Sequence, residues 1–399
     1  MTDKPRSPAR MTLRVYDTRT REKRELSTLE EGKVSMYVCG ITPYSPSHLG
    51  HARCYLSFDV VHRWLEASGY EVEYVQNFTD IDDKILDISD SEEVDFSVVA
   101  NRNIDDYLEV MDAMNVLRAD HYPRVTETIP EIIDMISALQ EKGHAYVGDD
   151  GVYFEIDTAP EKFGQLTGQT LEMVRAGAGG RVADTGSGKR DHRDFALWKL
   201  AKQGEPSWES PWGKGRPGWH IECSAMSMRA LGPTIDIHGG GADLIFPHHE
   251  CEIAQSESVN GEPFSRYWIH AGLVAYQGTK MSKSLGNLVF VSELRKEIDP
   301  RAIRLALMAH HYRSDFEWFD EEGPRAQRDL ELLIRSGGGA QPVSEGPLID
   351  EVRDALDDDL DTPRVCELLI REAQAIEKGT SSSPQGCLVA AASLCGIQL

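Results

Sequence analysis

Apolar positions in the first hundred residues fall into two short runs flanking one periodic stretch. Val34–Tyr44 (VSMYVCGITPY) is short, apolar and β-branched, the pattern of a buried strand. Residues 51–70 place Leu56, Val60, Val61, Trp64 and Leu65 at helical spacing, and Gly69 ends the run. Residues 71–82 (EVEYVQNFTDID) are strand-like again. Strand, helix, strand at this spacing predicts a βαβ unit in a parallel sheet, one half of a Rossmann-like fold. A helical stretch follows from about Val94 to Val116. Residues 125–147 read as a helix entering a strand, and GVYFEI (151–156) as a second short strand. The Gly-rich, polar stretch over 170–195 predicts a loop-rich insertion. The sheet resumes in IDIHGGG (235–241), a strand ending in glycines that let backbone approach a ligand. Residues 267–276 (YWIHAGLVAY) predict one more strand, followed by the loop QGTKMSKSLGN. From Val291 the pattern is mostly helical, and RSGGGAQPVSEG (335–346) separates a short helical end piece.

Composition narrows this picture only slightly. The 399 residues suffice for two or three domains, and 40% hydrophobic content is ordinary for a globular protein. No window approaches the roughly 18 apolar residues of a membrane span. The amino-terminal stretch has charges but no apolar core of a signal peptide, so the expected location is the cytoplasm. The seven cysteines are too few and too scattered for a disulfide framework. A net charge of -24 repels nucleic acid unless basic residues gather locally, and is also what adaptation to high salt produces.

Six motifs then carry a resemblance. HLGH (48–51) after a strand and KMSKS (280–284) far downstream resemble the paired signature of class I aminoacyl-tRNA synthetases. MYVCGITPY, NFTDIDDKI, GRPGWHIECSAM, DIHGGG, FPHHE and KMSKSLGN, in this order, resemble the cysteinyl-tRNA synthetase family over roughly residues 12–320. The fold class implied is α/β: a class I synthetase Rossmann-like catalytic domain with an insertion, followed by a C-terminal helical region. The halves of the catalytic domain are expected at 12–120 and 201–290, the latter with the KMSKS loop. The acceptor-side insertion is expected at 121–200, and the helical region, without a full anticodon-binding domain, at 291–399.

The resemblance implies an enzyme that joins the cysteine carboxylate to the α-phosphate of ATP, with Mg2+, and expels pyrophosphate. His48, His51, Lys280 and Lys283 are then the catalytic residues, placing donors where charge moves onto phosphate oxygens. Gly40, Thr42, Gly50, Cys54, Asn77, Thr79, Gly241, Asp243, Val274, Ser282 and Ser284 are the expected contacts to ATP and the adenylate. Trp219 is expected to wall the substrate thiol and His238 to hold its carboxylate region. Cys39, Cys223, His248 and Glu252 are the implied ligands of one zinc ion, which distinguishes cysteine from serine by a metal–sulfur bond. Their spacing alone is a weak signal, although His248 and Glu252 share a face if their stretch is helical. Cys251 is expected to point elsewhere, and Cys366, Cys387 and Cys395 to be small buried hydrophobes.

The acceptor divides the sequence. The run Leu288–Trp318, CGITPY, GEPFSRYW and SLCGIQL resemble the cysteine ligase of mycothiol synthesis, which joins cysteine to the amine of glucosaminyl-inositol. The chain also stops soon after DDDLDTP (357–363), where a synthetase continues into its anticodon region. TDIDDKIL, KRDHRDFALWK, His238 and Glu252 resemble the synthetase instead. The expectation is a small amine acceptor, most simply glucosaminyl-inositol; the alternatives are tRNA(Cys) and a non-catalytic synthetase-like binding protein. A monomer is expected.

Overall fold

The structure, a computed structural model, describes residues 13–168, 188–281 and 285–399. Most of the Gly-rich loop, together with Ser282, Lys283 and Ser284, lies outside them.

Four parallel strands form the central sheet, in the spatial order Ser265–Ala271, Ile235–Gly241, Lys33–Ile41, Glu71–Phe78. The chain leaves Lys33–Ile41, crosses through the helix Leu49–Ala67 and adds Glu71–Phe78 on one side. It later returns to lay Ile235–Gly241 on the other side. The carboxyl ends of Lys33–Ile41 and Ile235–Gly241 are therefore the point where strand order reverses, the crevice in which open α/β sheets bind ligands. Both strands are almost wholly buried at these ends, from Tyr37 to Cys39 and from Ile235 to Gly240.

The helix Leu49–Ala67 starts as the sequence predicts, at the HLGH turn. His48 is its N-cap, accepting the Gly50 N–H on Nδ1 at 3.1 Å. Fourteen of its residues are buried, Arg53 and Asp59 included, so both faces are covered. The central sheet takes one face and the C-terminal helices the other. Asp59 meets the guanidinium of Arg304, itself fully buried, and Arg63 at 2.9 Å. Arg304 also donates to the carbonyls of Cys395 at 2.7 Å and Met114 at 3.1 Å. One apolar core runs without a break from Leu13 through the sheet to Ile397.

The insertion carries an antiparallel sheet of Ala145–Val147, Gly151–Phe154, Phe195–Leu200 and Gly215–Pro217. Beyond the central sheet, helices Glu322–Gly337, Pro347–Asp357, Thr362–Glu377 and Gln385–Leu394 pack together at the C-terminal end.

Two elements differ from the sequence reading. YWIHAGLVAY is not one strand. It breaks at Gly272 and Leu273, and Val274–Tyr276 joins a separate sheet with Thr279–Lys280 and Phe316–Trp318. Gly272 donates its N–H to Tyr312 at 2.7 Å, and a Cβ there would sit 2.4 Å from the Ser314 carbonyl. A tertiary contact thus ends the strand. The residues after Phe78 also leave the sheet early. Asp80 turns to Thr126, whose hydroxyl it accepts at 2.6 Å, and Asp82 caps a helix over Asp83–Glu92. That polar helix has too few apolar positions to show in the pattern.

Candidate active site

A cleft of ≈ 760 Å³ opens over the strand-order reversal. Its wall gathers residues far apart in sequence. Cys39, Gly40 and Thr42 come from the first central strand and its exit, and His48, Gly50, His51 and Cys54 from the following helix start. Gly241 and Asp243 come from the third strand's end, and Trp219, Val274 and Lys280 from elsewhere.

Gly40 shows why the chain is built this way. A Cβ there would lie 1.6 Å from the Asn77 carbonyl oxygen, so only glycine lets the two strands meet at the cleft floor. The Asn77 side chain accepts the Gly40 N–H at 2.8 Å and approaches the Thr79 hydroxyl at 3.3 Å. Thr79 in turn donates to buried Glu222 at 3.1 Å. Asn77 and Thr79 are fully buried behind the cleft wall, so they set the floor's shape from behind.

His48 and His51 stack with ring centroids 3.8 Å apart. Because His48 Nδ1 accepts from Gly50, its neutral ring carries the proton on Nε2. Burial pushes the His48 pKa down to about 4; Lys280 adds to this, while Asp243 opposes it. Burial also holds His51 well below the usual histidine value, with His48 adding to the effect. Both rings are neutral hydrogen-bond groups near pH 7. Lys280 pairs with Asp243 at 3.0 Å across the cleft mouth. Cys54 lines the cleft within the helix, its thiol pushed up by burial.

Beside the cleft lies a buried polar cluster. The donor atoms of Cys39, Cys223, His248 and Glu252 all lie within 4.8 Å of one another, every residue buried. Cys39 donates to Glu252 at 3.4 Å, and His248 Nε2 lies 3.1 Å from the same oxygen. His248 lies in the π-helical turn Ile245–His249, and Glu252 four residues on in the helix Glu250–Asn260 that continues from it. Burial, then Cys223, pushes the Cys39 thiol well up. Two thiols, an imidazole and a carboxylate, all buried and packed together, are the donor set of a zinc site. A divalent cation there reverses the local preference, since a coordinating thiol is deprotonated. The Trp219 ring stacks on His248 at 4.3 Å and also lines the cleft, linking cluster and cleft.

These residues fit a family. The description "tRNA synthetases class I (C) catalytic domain" matches residues 25–328. A cysteine--tRNA ligase of Rippkaea orientalis is 47% identical over 92% of this chain and 79% of its own. One from Thermococcus onnurineus is 48% identical over 92% of this chain and 80% of its own. The chain belongs to the cysteinyl-tRNA synthetase family of class I. As a member it is an ATP-dependent, AMP-forming ligase. Solved structures agree on the fold alone. Methionyl-tRNA synthetase of Mycobacterium tuberculosis superimposes with a TM-score of 0.63 at 16% identity, covering 91% of this chain and 89% of that one. The LeuRS of Agrobacterium radiobacter K84 reaches 0.67 at 10%, over 93% and 83%. No helix among the described residues is long and apolar enough to cross a membrane.

Against this family background, the sequence missed two histidines. His249 Nδ1 lies 2.7 Å from His270 Nε2, whose other nitrogen lies 2.7 Å from the Thr18 hydroxyl. With Cys39, His238 and Glu252, His249 forms a second overlapping donor set. His238 was expected at the substrate carboxylate; instead it is fully buried, with Nε2 2.8 Å from Glu252. It therefore backs the cluster and does not line the cleft. The sequence offered a signal for His249 in the paired histidines of FPHHE, but none for His270, which only strand pairing brings near. Cys251 is buried outside both sets, as expected.

Proposed function

We propose that this chain activates L-cysteine with ATP to cysteinyl-AMP and passes the cysteinyl group to the 3′-terminal ribose hydroxyl of tRNA(Cys). The observation that carries the reading is a buried thiol–imidazole–carboxylate cluster beside a cleft lined by the HLGH histidines and by Lys280. Relatives named for cysteine–tRNA ligation, 47–48% identical over most of the chain, support the acceptor. The expectation of glucosaminyl-inositol draws no support from them, and the tRNA alternative fits better.

Cys39, Cys223, His248 and Glu252 hold zinc in this reading, and zinc supplies a Lewis-acid site that prefers a thiolate to a hydroxyl. Trp219 closes the thiol pocket over His248. Neutral His48 offers its Nε2–H, and His51 a ring N–H, to the phosphate oxygens on which charge develops. Lys280 leaves Asp243 to meet the triphosphate, and Asp243 is released for the ribose. Lys283, Ser282 and Ser284 belong to the same loop by motif and lie outside the described residues. Gly50, Gly241 and Val274 leave room for ribose and base. Acyl transfer then needs only positioning of the acceptor hydroxyl against an already activated carboxyl.

The test supplies purified, zinc-loaded protein with ATP, labelled cysteine and either tRNA(Cys) or glucosaminyl-inositol. Labelled tRNA with no amide product supports the reading. An amide of glucosaminyl-inositol with uncharged tRNA overturns it.

A further inference from the structure

Adenylation chemistry leaves one wall of the cleft unused. Tyr44, Lys84, Asp87 and Ile88 line it, opposite neither the thiol cluster nor the Lys280–Asp243 pair in role. Lys84 is exposed, with its ammonium 4.8 Å from the Tyr44 ring centroid. Among the described residues no carboxylate lies within ion-pair distance of Lys84. Of the two described lysines lining the cleft, Lys280 is already matched to Asp243. In a chain of net charge -24, a lysine left without a carboxylate beside an aromatic ring, inside the reaction cleft, is an unmatched feature.

The local structure holds Lys84 out deliberately. Asp82 caps the helix Asp83–Glu92 by accepting the Lys84 N–H at 2.9 Å. Asp83 is tied to Lys199 at 3.3 Å and to Arg216, both from the insertion sheet. Ile85 buries into a small core with Val99 and Ala100, against which Tyr44 also packs. Three of the four residues from Asp82 to Ile85 thus anchor the helix start by cap, ion pair and core, and the remaining one, Lys84, is presented to the cleft. Asp87, one turn on, adds an acceptor for a sugar hydroxyl on the same wall.

We propose that Tyr44 and Lys84 seat the terminal nucleotide of the acceptor strand. Its base or ribose face lies on the Tyr44 ring, and its phosphate meets the Lys84 ammonium. An aromatic platform beside an unpaired cation is the arrangement that grips a single-stranded nucleotide without reading its sequence. It also supplies a local basic contact on an otherwise repelling surface. The inference rests on the tRNA reading of the same cleft and names residues that reading does not use.

The test separates the two half-reactions in Lys84→Ala, Lys84→Arg, Tyr44→Ala and Tyr44→Phe. Cysteine-dependent exchange of pyrophosphate into ATP reports adenylation, and steady-state charging of tRNA(Cys) reports acceptor use. For Lys84→Ala, KM for tRNA rises at least about fivefold, a larger deficit than any in exchange. The slope of log kcat/KM against log salt shallows by roughly 0.7 to 0.9. Lys84→Arg restores both. Tyr44→Ala raises KM for tRNA by at least about fivefold, and Tyr44→Phe keeps it near wild type because the ring remains. Wild-type KM and slope in Lys84→Ala, with normal charging by the native protein, overturns the nucleotide seat and leaves the tRNA reading standing. An equal loss in exchange and charging also overturns it, moving Lys84 to the ATP side. Active exchange with no tRNA charging by the native protein removes the tRNA reading itself.

Discussion

Cys39 lies near the end of a central strand and Cys223 sits in the first turns of Trp219–Leu231, yet their thiols share one buried pocket with Glu252. If the four donors hold zinc, Cys223→Ser lowers zinc affinity by on the order of 100-fold or more, since even outer-shell changes cost 10- to 100-fold. Metal analysis after dialysis checks this, and full retention removes Cys223 from the shell. His48 gives a prediction in pH. Its folded value, pushed down to about 4 by burial, lies below the unfolded value near 6.5. Between these limits the unfolded chain binds more protons, so stability is highest above pH 6.5 and declines as pH falls toward 4. In urea unfolding, His48→Gln therefore loses less stability than the native protein between pH 7.5 and 5. An equal loss contradicts a neutral, buried His48. The cleft residues at the HLGH turn were legible because residue type and strand-to-helix position coincide there. His270 was not, because no local pattern marks a ring that matters only through a neighbouring strand; His249 showed only as the second histidine of FPHHE. His238 was misplaced for the related reason that a strand residue's face depends on the packed partner, here Glu252.

The elements that fix the cleft are the helix Leu49–Ala67 and the turns around it, and the sequence showed that helix well. Its apolar positions keep helical period, and Gly69 follows it in the left-handed region at φ 91°. The strand break at Gly272 was hidden, since its cause is the Tyr312 carbonyl arriving from another segment. So was the clamp on the helix's far side. Arg304 and Asp59 meet inside the protein, both shielded from water, with Arg63 alongside. Asp59→Ala leaves that guanidinium buried without its carboxylate, and costs about 3 to 5 kcal/mol of stability. The exposed pair of Arg14 and Asp358, at 2.9 Å, is worth about 1 kcal/mol or less, so Arg14→Ala is the control. Urea midpoints compare the two; similar losses contradict the clamp.

For the whole molecule, the order of the four central strands puts every chemical group at one edge. Strand order reverses between Lys33–Ile41 and Ile235–Gly241, and the cleft, the thiol cluster, the HLGH turn and Lys280 all sit there. The parallel α/β class was readable from the βαβ pattern; the reversal was not, because strand order depends on which side the chain returns. In the proposed reading, this end of the sheet activates cysteine and rejects serine through the buried donor cluster. The most direct measurement is amino-acid-dependent exchange of pyrophosphate into ATP by the zinc-loaded protein, with cysteine and serine in parallel. Exchange is expected to be brisk with cysteine and, for serine, to show kcat/KM lower by on the order of 10⁴-fold, the range reached when a site is built around one polar group. No exchange with cysteine, or comparable exchange with serine, contradicts it.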